Sequence, residues 1–227
     1  MPKPVFIRIP GIRFGIVLIL CNFHFNFCVM GAPPTSVPEA QIALRKAIAF
    51  QRESKDISIR FLASVFNPTL DKQEKYSGKL LLKDSNKFRL EIPGATYVSD
   101  GVSYWEYHVQ NNQVILRKAA DLIGQPLPAD VLLRFLDSKP LSLVKTKLNN
   151  KDYLEMRLDP SEAMKNLDSL VVLLDKADFS LYRISSRDVS GNEAQYTVTA
   201  LRKNRGIKDR EFVFVGPKGS DLVDMRE

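Results

Sequence analysis

Residues 76–119 constrain the fold more than any other part of this chain; they read YSGKLLLKDSNKFRLEIPGATYVSDGVSYWEYHVQNNQVILRKA. Apolar and polar residues roughly alternate in four short runs, 78–83, 87–92, 102–109 and 113–117, each bounded by turn chemistry. A period of two between local turns predicts an antiparallel meander. Ser99-Asp100-Gly101 and Asn111-Asn112 tolerate positive φ or close a turn with a side-chain oxygen, and Pro93-Gly94 is expected to break the pairing between the second run and Tyr97. Trp105 and Tyr107 point to one face of their strand, Tyr104 and Glu106 to the other. A sheet that carries large apolar groups on both faces has to cover both.

The N-terminal residues have a different character. Lys3, Arg8 and Arg13 precede an apolar run from 14 to 21, and Val29-Met30-Gly31 stands before Ala32. This order of basic, apolar and small residues describes a secretory signal over residues 1–31, and the apolar run is well short of the roughly 20 residues that span a bilayer. Cys21 and Cys28 are the only cysteines and both fall inside that signal. Neither follows the small residues of a lipoprotein cleavage box. The expected mature domain, 32–227, is therefore free of disulfides and held by its core alone, which roughly 195 residues suffice to build as a single domain.

Charge excludes little but guides the reading. The chain has 33 basic and 26 acidic residues, and the signal removes three basic ones. The cluster Arg202, Lys203, Arg205, Lys208 and Arg210 is interrupted by Gly206 and Asp209 and reads as a solvated loop between strands, with no nucleic-acid partner implied.

Before the meander, residues 38–52 place Ile42, Leu44, Ala47, Ile48 and Gln51 at helical spacing, and 57–65 alternate as a strand. After it, Gly124, Pro126 and Pro128 mark a kinked connection, and 129–138 read as a helix too apolar for a single buried stripe. Strands are expected at 142–148, 153–158, 169–175, 180–188, 193–201 and 211–215, with a loop or short helix at 159–168. The fold class is α+β: a single, strongly curved antiparallel sheet of about ten strands that forms an unclosed β-barrel around two or three helices.

Catalytic chemistry finds little foothold. His108 is the only histidine after residue 31, no cysteine remains, and no GxSxG or phosphate-binding glycine loop is present. Thiolate catalysis and cysteine or multi-histidine metal sites are thereby excluded. His108 and Glu106 share one strand face and read as a surface pair. No cofactor and no enzymatic activity are expected.

The succession of GKLLLK and NKFRLEI, VSDGVSYWEY and NNQV, a proline-containing connection into a leucine-rich helix, and the C-terminal FVFVGPKGSDLVD resembles the periplasmic outer-membrane lipoprotein carrier (LolA) family over nearly the whole mature chain. The resemblance implies a half-barrel whose concave face and helical lid enclose an apolar cavity for acyl chains, in a monomeric periplasmic protein. It implies acylated lipoproteins as cargo, an ATP-driven release complex in the inner membrane as donor, and an outer-membrane receptor as acceptor. Phe61, Leu80, Leu82, Phe88, Leu90, Trp105 and Tyr107 are the candidate lining, and Leu132, Leu133 and Leu136 the candidate lid. The sequence leaves open which sheet face is concave. Where the family places an Arg-Pro pair that latches the lid, this chain has Asp84-Ser85, and a carboxylate donates no such bonds; Arg89, with five donors, is an alternative latch or a surface residue. Two further readings stand beside the carrier: a binding protein for another lipid or glycolipid, and an interaction module with a solid core.

Overall fold

The structure, a computed structural model, describes residues 37–84, 86–122, 132 and 134–226, without the side chain of Ala163. The signal segment, most of the kinked connection and Leu133 lie outside the described residues.

Twelve strands form one sheet in the order β12-β6-β5-β4-β3-β2-β1-β11-β10-β9-β8-β7. In chain order they are β1 (Asp56–Asn67), β2 (Lys72–Lys83), β3 (Lys87–Ile92), β4 (Ala95–Asp100), β5 (Ser103–His108), β6 (Gln113–Lys118), β7 (Lys139–Leu148), β8 (Lys151–Asp159), β9 (Leu167–Asp175), β10 (Leu181–Asp188), β11 (Glu193–Lys203) and β12 (Asp221–Asp224). All neighbours are antiparallel except β12, which runs parallel to β6. The ends of the sheet, β12 and β7, do not pair with each other, so the barrel stays unclosed. The helix α1 (Val37–Arg52) packs against β7.

Two meanders, β1–β6 and β7–β11, are joined edge to edge by the β1–β11 pairing. That seam is in register from Ile57↔Lys203 to Phe66↔Glu193, with a bulge between Arg60 and Phe61 that leaves Thr199 as the extra residue. The bulge shifts the side-chain parity of β11. Tyr196 and Val198 on one side of it, and Leu201 on the other, consequently all join the same apolar cluster. That cluster takes residues from α1 and from strands as far apart as β5 and β7, so the inner face of the sheet wraps around the helix.

The helix reaches its partners through small residues. Ala40, Ala43, Leu44 and Ala47 are its buried positions, while Ile42 is 46% exposed. The buried stripe differs from the expected one at that position: Ile42 stands two residues from Leu44 and falls on the outside, and the 40, 43, 44, 47 spacing sets the buried face.

The meander differs from expectation in two places. Pro93-Gly94 does not break the ladder; it is the turn of a β3–β4 hairpin in which Ile92 pairs with Ala95. β2 begins at Lys72, because Lys72 to Lys75 are exposed strand residues with no apolar alternation to announce them. At the other end, residues 211–215 are not a strand: Asp209–Phe212 form a 3-10 turn, and the strand comes later, as β12.

The outer face of β3–β6 is covered by this C-terminal segment. Phe212 is fully buried, and the rings of Phe214 and Tyr107 lie 5.6 Å apart. Asp56 fixes the entry to the segment, accepting hydrogen bonds from the backbone N–H groups of Arg205 (2.7 Å), Gly206 (2.9 Å) and Ile207 (3.1 Å). Gly206, at φ +68°, supplies the left-handed step that turns these donors toward one carboxylate. Lys83 Nζ adds bonds to the Ile207 carbonyl and to Asp209. Burial pushes the Asp56 pKa up, but the three backbone donors and the charge of Lys83 outweigh it and hold the carboxyl below its ordinary value of 3.8.

This packing can be probed at two residues. The Phe61 ring lies over Gly78, where an added Cβ would sit 2.2 Å from Phe61 Cζ; Gly78→Ala is therefore expected to destabilise the fold by about 1–3 kcal/mol, read as a lower urea midpoint at constant m. Asp56→Asn is expected to cost about 1.5–3 kcal/mol at neutral pH, because it weakens the charge-assisted bonds of a buried carboxylate. A depressed folded-state pKa contributes stability above the unfolded carboxylate value, about 3.9, and loses it as pH falls through the folded value. The difference between wild type and variant should accordingly shrink in denaturant titrations below about pH 4.

Candidate functional site

Ladder register assigns every candidate residue to a face. One rung runs Ile57, Leu82, Phe88, Ser99, Tyr104, and the next Ile59, Leu80, Leu90, Tyr97, Glu106. A third passes Phe61 and Gly78. These rungs face α1, and Phe61, Leu80, Leu82, Phe88 and Leu90 all belong to the single inner cluster. The structure thus brings five of the seven candidate lining residues together.

Trp105 and Tyr107 are on the other face. Trp105 sits across from Val98 and Leu116, and Tyr107 across from Thr96 and Val114, all in outward register under or beside the C-terminal segment. Their exclusion from the concave side follows from parity: Tyr104, in step with Phe88 (rings 6.2 Å apart), is the aromatic that this strand turns inward. Arg89 shares the outer face. It donates to Glu91 (2.6 Å) and to the Glu211 carbonyl (3.4 Å), so it braces the C-terminal segment and does not reach the lid. Asp84, at φ 55°, pairs with Lys87 at 3.4 Å in the β2–β3 turn. Leu132 and Phe135 are buried, and Leu136 packs against the inner cluster. Glu106 and His108 are paired (2.7 Å) on the inner side of β5, beside the Tyr97 ring.

At one end of the sheet the inner face is not filled. A cleft of about 1050 Å³ opens between the C-terminal half of α1, the β2–β3 turn and the segments 119–120 and 134–137. Its volume is at the upper end of the range for ligand pockets. Ile48, Leu82, Phe88 and Leu136 give it an apolar floor that is continuous with the core. Arg52, Glu53, Lys55, Asp84, Lys87, Arg134 and Asp137 form a charged rim. A smaller concavity of about 420 Å³ lies on the outer side near Arg60, Leu62, Lys79 and Glu91.

Leu82 and Phe88 are legible from alternation alone. Ile48 is legible only as part of the helical stripe, while Ala119, Ala120 and Arg134 escape sequence reasoning. The Ala119-Ala120 pair keeps the cleft wall free of bulk, but two alanines at the end of a strand carry no distinguishing pattern. Among the described residues no group of three or more His, Cys, Asp or Glu is placed to hold a metal ion.

Comparison with known proteins agrees with this architecture. The family model described as "Outer membrane lipoprotein carrier protein LolA" matches residues 52–215. A protein of Aeromonas salmonicida named outer-membrane lipoprotein carrier protein is 23% identical over 201 residues, covering 84% of this chain and 94% of that one. One of the same name from Methylobacillus flagellatus is 24% identical over 178 residues, covering 77% and 85%. The crystal structure of an uncharacterized conserved protein from Thermus thermophilus superposes with a TM-score of 0.55 at 14% identity, covering 82% of this chain and 99% of that one, and shares the fold. With the family model spanning well over half of its length, this chain belongs to the outer membrane lipoprotein carrier protein LolA family.

Proposed function

We propose that this protein is a periplasmic carrier that takes the acyl chains of a lipoprotein into the cleft at the end of its half-barrel and moves them from the inner to the outer membrane. The observation that carries the reading is the cleft itself: about 1050 Å³ of space with an apolar floor of Ile48, Leu82, Phe88 and Leu136. Each methylene removed from water gains roughly 0.8 kcal/mol, which is the driving force for loading and the reason cargo needs a soluble host. The names of the curated relatives support lipoproteins as the cargo class.

Leu82 and Phe88 would touch the acyl chain first. Phe61, Leu80 and Leu90 are at most 1% exposed and form a packed bed beneath the cleft; a chain reaches them only when α1 and the Leu132 to Leu136 cover move away from the sheet. That cover, together with Leu133, is the proposed lid. Export by the N-terminal signal, delivery by an inner-membrane ATP-driven release complex and receipt by an outer-membrane receptor complete the proposal. No cofactor and no catalytic step enter it.

Binding of a fluorescent fatty-acyl probe to the purified protein tests this reading. Phe88→Glu is expected to weaken probe affinity by tenfold or more, a cost of about 1.4 kcal/mol or above, by placing a charge against the chain. Ala120→Trp, which fills the mouth without touching the core, should reduce uptake as well. Trp105→Phe should leave affinity unchanged, and the emission of this single tryptophan should not shift on loading, because it lies on the outer face. A protein that takes up no probe, or a Trp105 that responds to it while Phe88→Glu is without effect, contradicts the inner-face site.

A further inference from the structure

We propose that the exposed basic residues at the end of the sheet where the cleft opens, Arg52, Lys55, Arg202, Arg205 and Lys208, dock this protein on the anionic headgroups of a phospholipid bilayer. Their distance in sequence conceals one surface. Lys55 N donates to Asn204 Oδ1 at 2.8 Å, Asp56 gathers the backbone of residues 205–207, Arg202 stands opposite Ser58 in the β1–β11 ladder, and Lys203 Nζ lies 3.8 Å from the centre of the Phe50 ring. The end of α1, the start of β1 and the loop after β11 are thereby tied into a single rim, and Arg52 and Lys55 line the cleft directly.

All five side chains are exposed, and none forms an ion pair among the described residues. The neighbouring acids do not offset them. Asp56 is buried beneath the backbone, and Asp209 and Asp84 are held by Lys83 and Lys87. Glu53 and Asp137 remain on the cleft side.

The excess of exposed cations outside any ion pair, five against the two acids Glu53 and Asp137, decides between two kinds of partner. A protein surface ordinarily presents both signs to a rim, whereas a bilayer with anionic lipids presents one, over an area larger than the rim itself. Position points the same way, since an acyl chain leaves or enters a bilayer only through its headgroup layer, and Arg52 and Lys55 line the opening through which it would pass. That last step rests on the carrier reading; the electrostatic docking does not.

The test is co-sedimentation of the purified protein with vesicles of phosphatidylcholine alone and of phosphatidylcholine mixed with phosphatidylglycerol, at low and high salt. The expected result is partition onto the anionic vesicles only, lost at high salt, and weakened about fivefold for each cation neutralised in Arg202→Gln, Arg205→Gln and Lys208→Gln. Lys145→Gln, on the exposed part of β7 at the far edge of the sheet, should behave as wild type. Uptake of the acyl probe from solution, measured on the same variants, should be unchanged. If uptake fails in every preparation while anionic vesicles still bind, the carrier reading falls and the docking surface stands. Equal partition onto neutral and anionic vesicles, or onto neither, overturns the proposal. Retention on an immobilised acidic protein without any vesicle binding also overturns it and reassigns the rim to a protein partner.

Discussion

A sheet that is apolar on both faces has no stable form until both are covered, and every other feature of this molecule answers that constraint. The inner face is closed by α1 and by Leu132, Phe135 and Leu136, which pack into one continuous cluster with β1–β5 on one side of the β1–β11 seam and β7–β11 on the other. The outer face of the first meander is closed by the chain's own C-terminal segment, through Phe212 and Phe214. Farther along, Tyr153, Val171 and Leu173 form a small second cluster on the outer face, where the rings of Tyr153 and Tyr182 stack 4.5 Å apart.

The two covers differ in how they are held, and the difference bears on function. The outer cover is pinned at several points: the Asp56 carboxylate at its start, Lys83 and Arg89 along its course, and the parallel pairing of β12 with β6 at its end. The inner cover near the cleft is held chiefly by side-chain packing, through small helical residues that present little area to lose. A carrier needs this asymmetry, because the face that opens to cargo must separate at a modest cost while the rest of the sheet keeps its shape. The C-terminal part of α1 and the residues Arg134, Leu136 and Asp137 border the same space.

Period-two alternation reveals most of the strands, and that Leu80 shares a face with Leu82 and Phe88 with Leu90. It does not reveal which face is concave, since Trp105 and Tyr107 are as large and apolar as their inward neighbours. Choosing between Trp105 and Tyr104 requires knowing where α1 lies, which is a long-range fact. The same reason explains Arg89, whose partner at Glu211 is 122 residues away. Local chemistry misleads where it has two meanings: Pro93-Gly94 stops a strand and also turns a hairpin, and the alternation of Phe212 and Phe214 marks a segment laid flat on a sheet as readily as a strand within it. The basic run at 202–210 reads as an isolated loop because its companions, Arg52 and Lys55, join it only through long-range contacts, the β1–β11 seam and the Lys55–Asn204 bond among them.

The central claim is that the cleft on the inner face holds the acyl chains of a lipoprotein. Native mass spectrometry of the protein purified gently from its own host's periplasm, followed by lipid extraction, tests it most directly. The account predicts a population carrying an acylated lipoprotein, released when Phe88 is replaced by Glu. A protein that is always recovered empty from a periplasm rich in lipoproteins would contradict it, and one that carries only free lipid would keep the cavity while removing the cargo proposed for it.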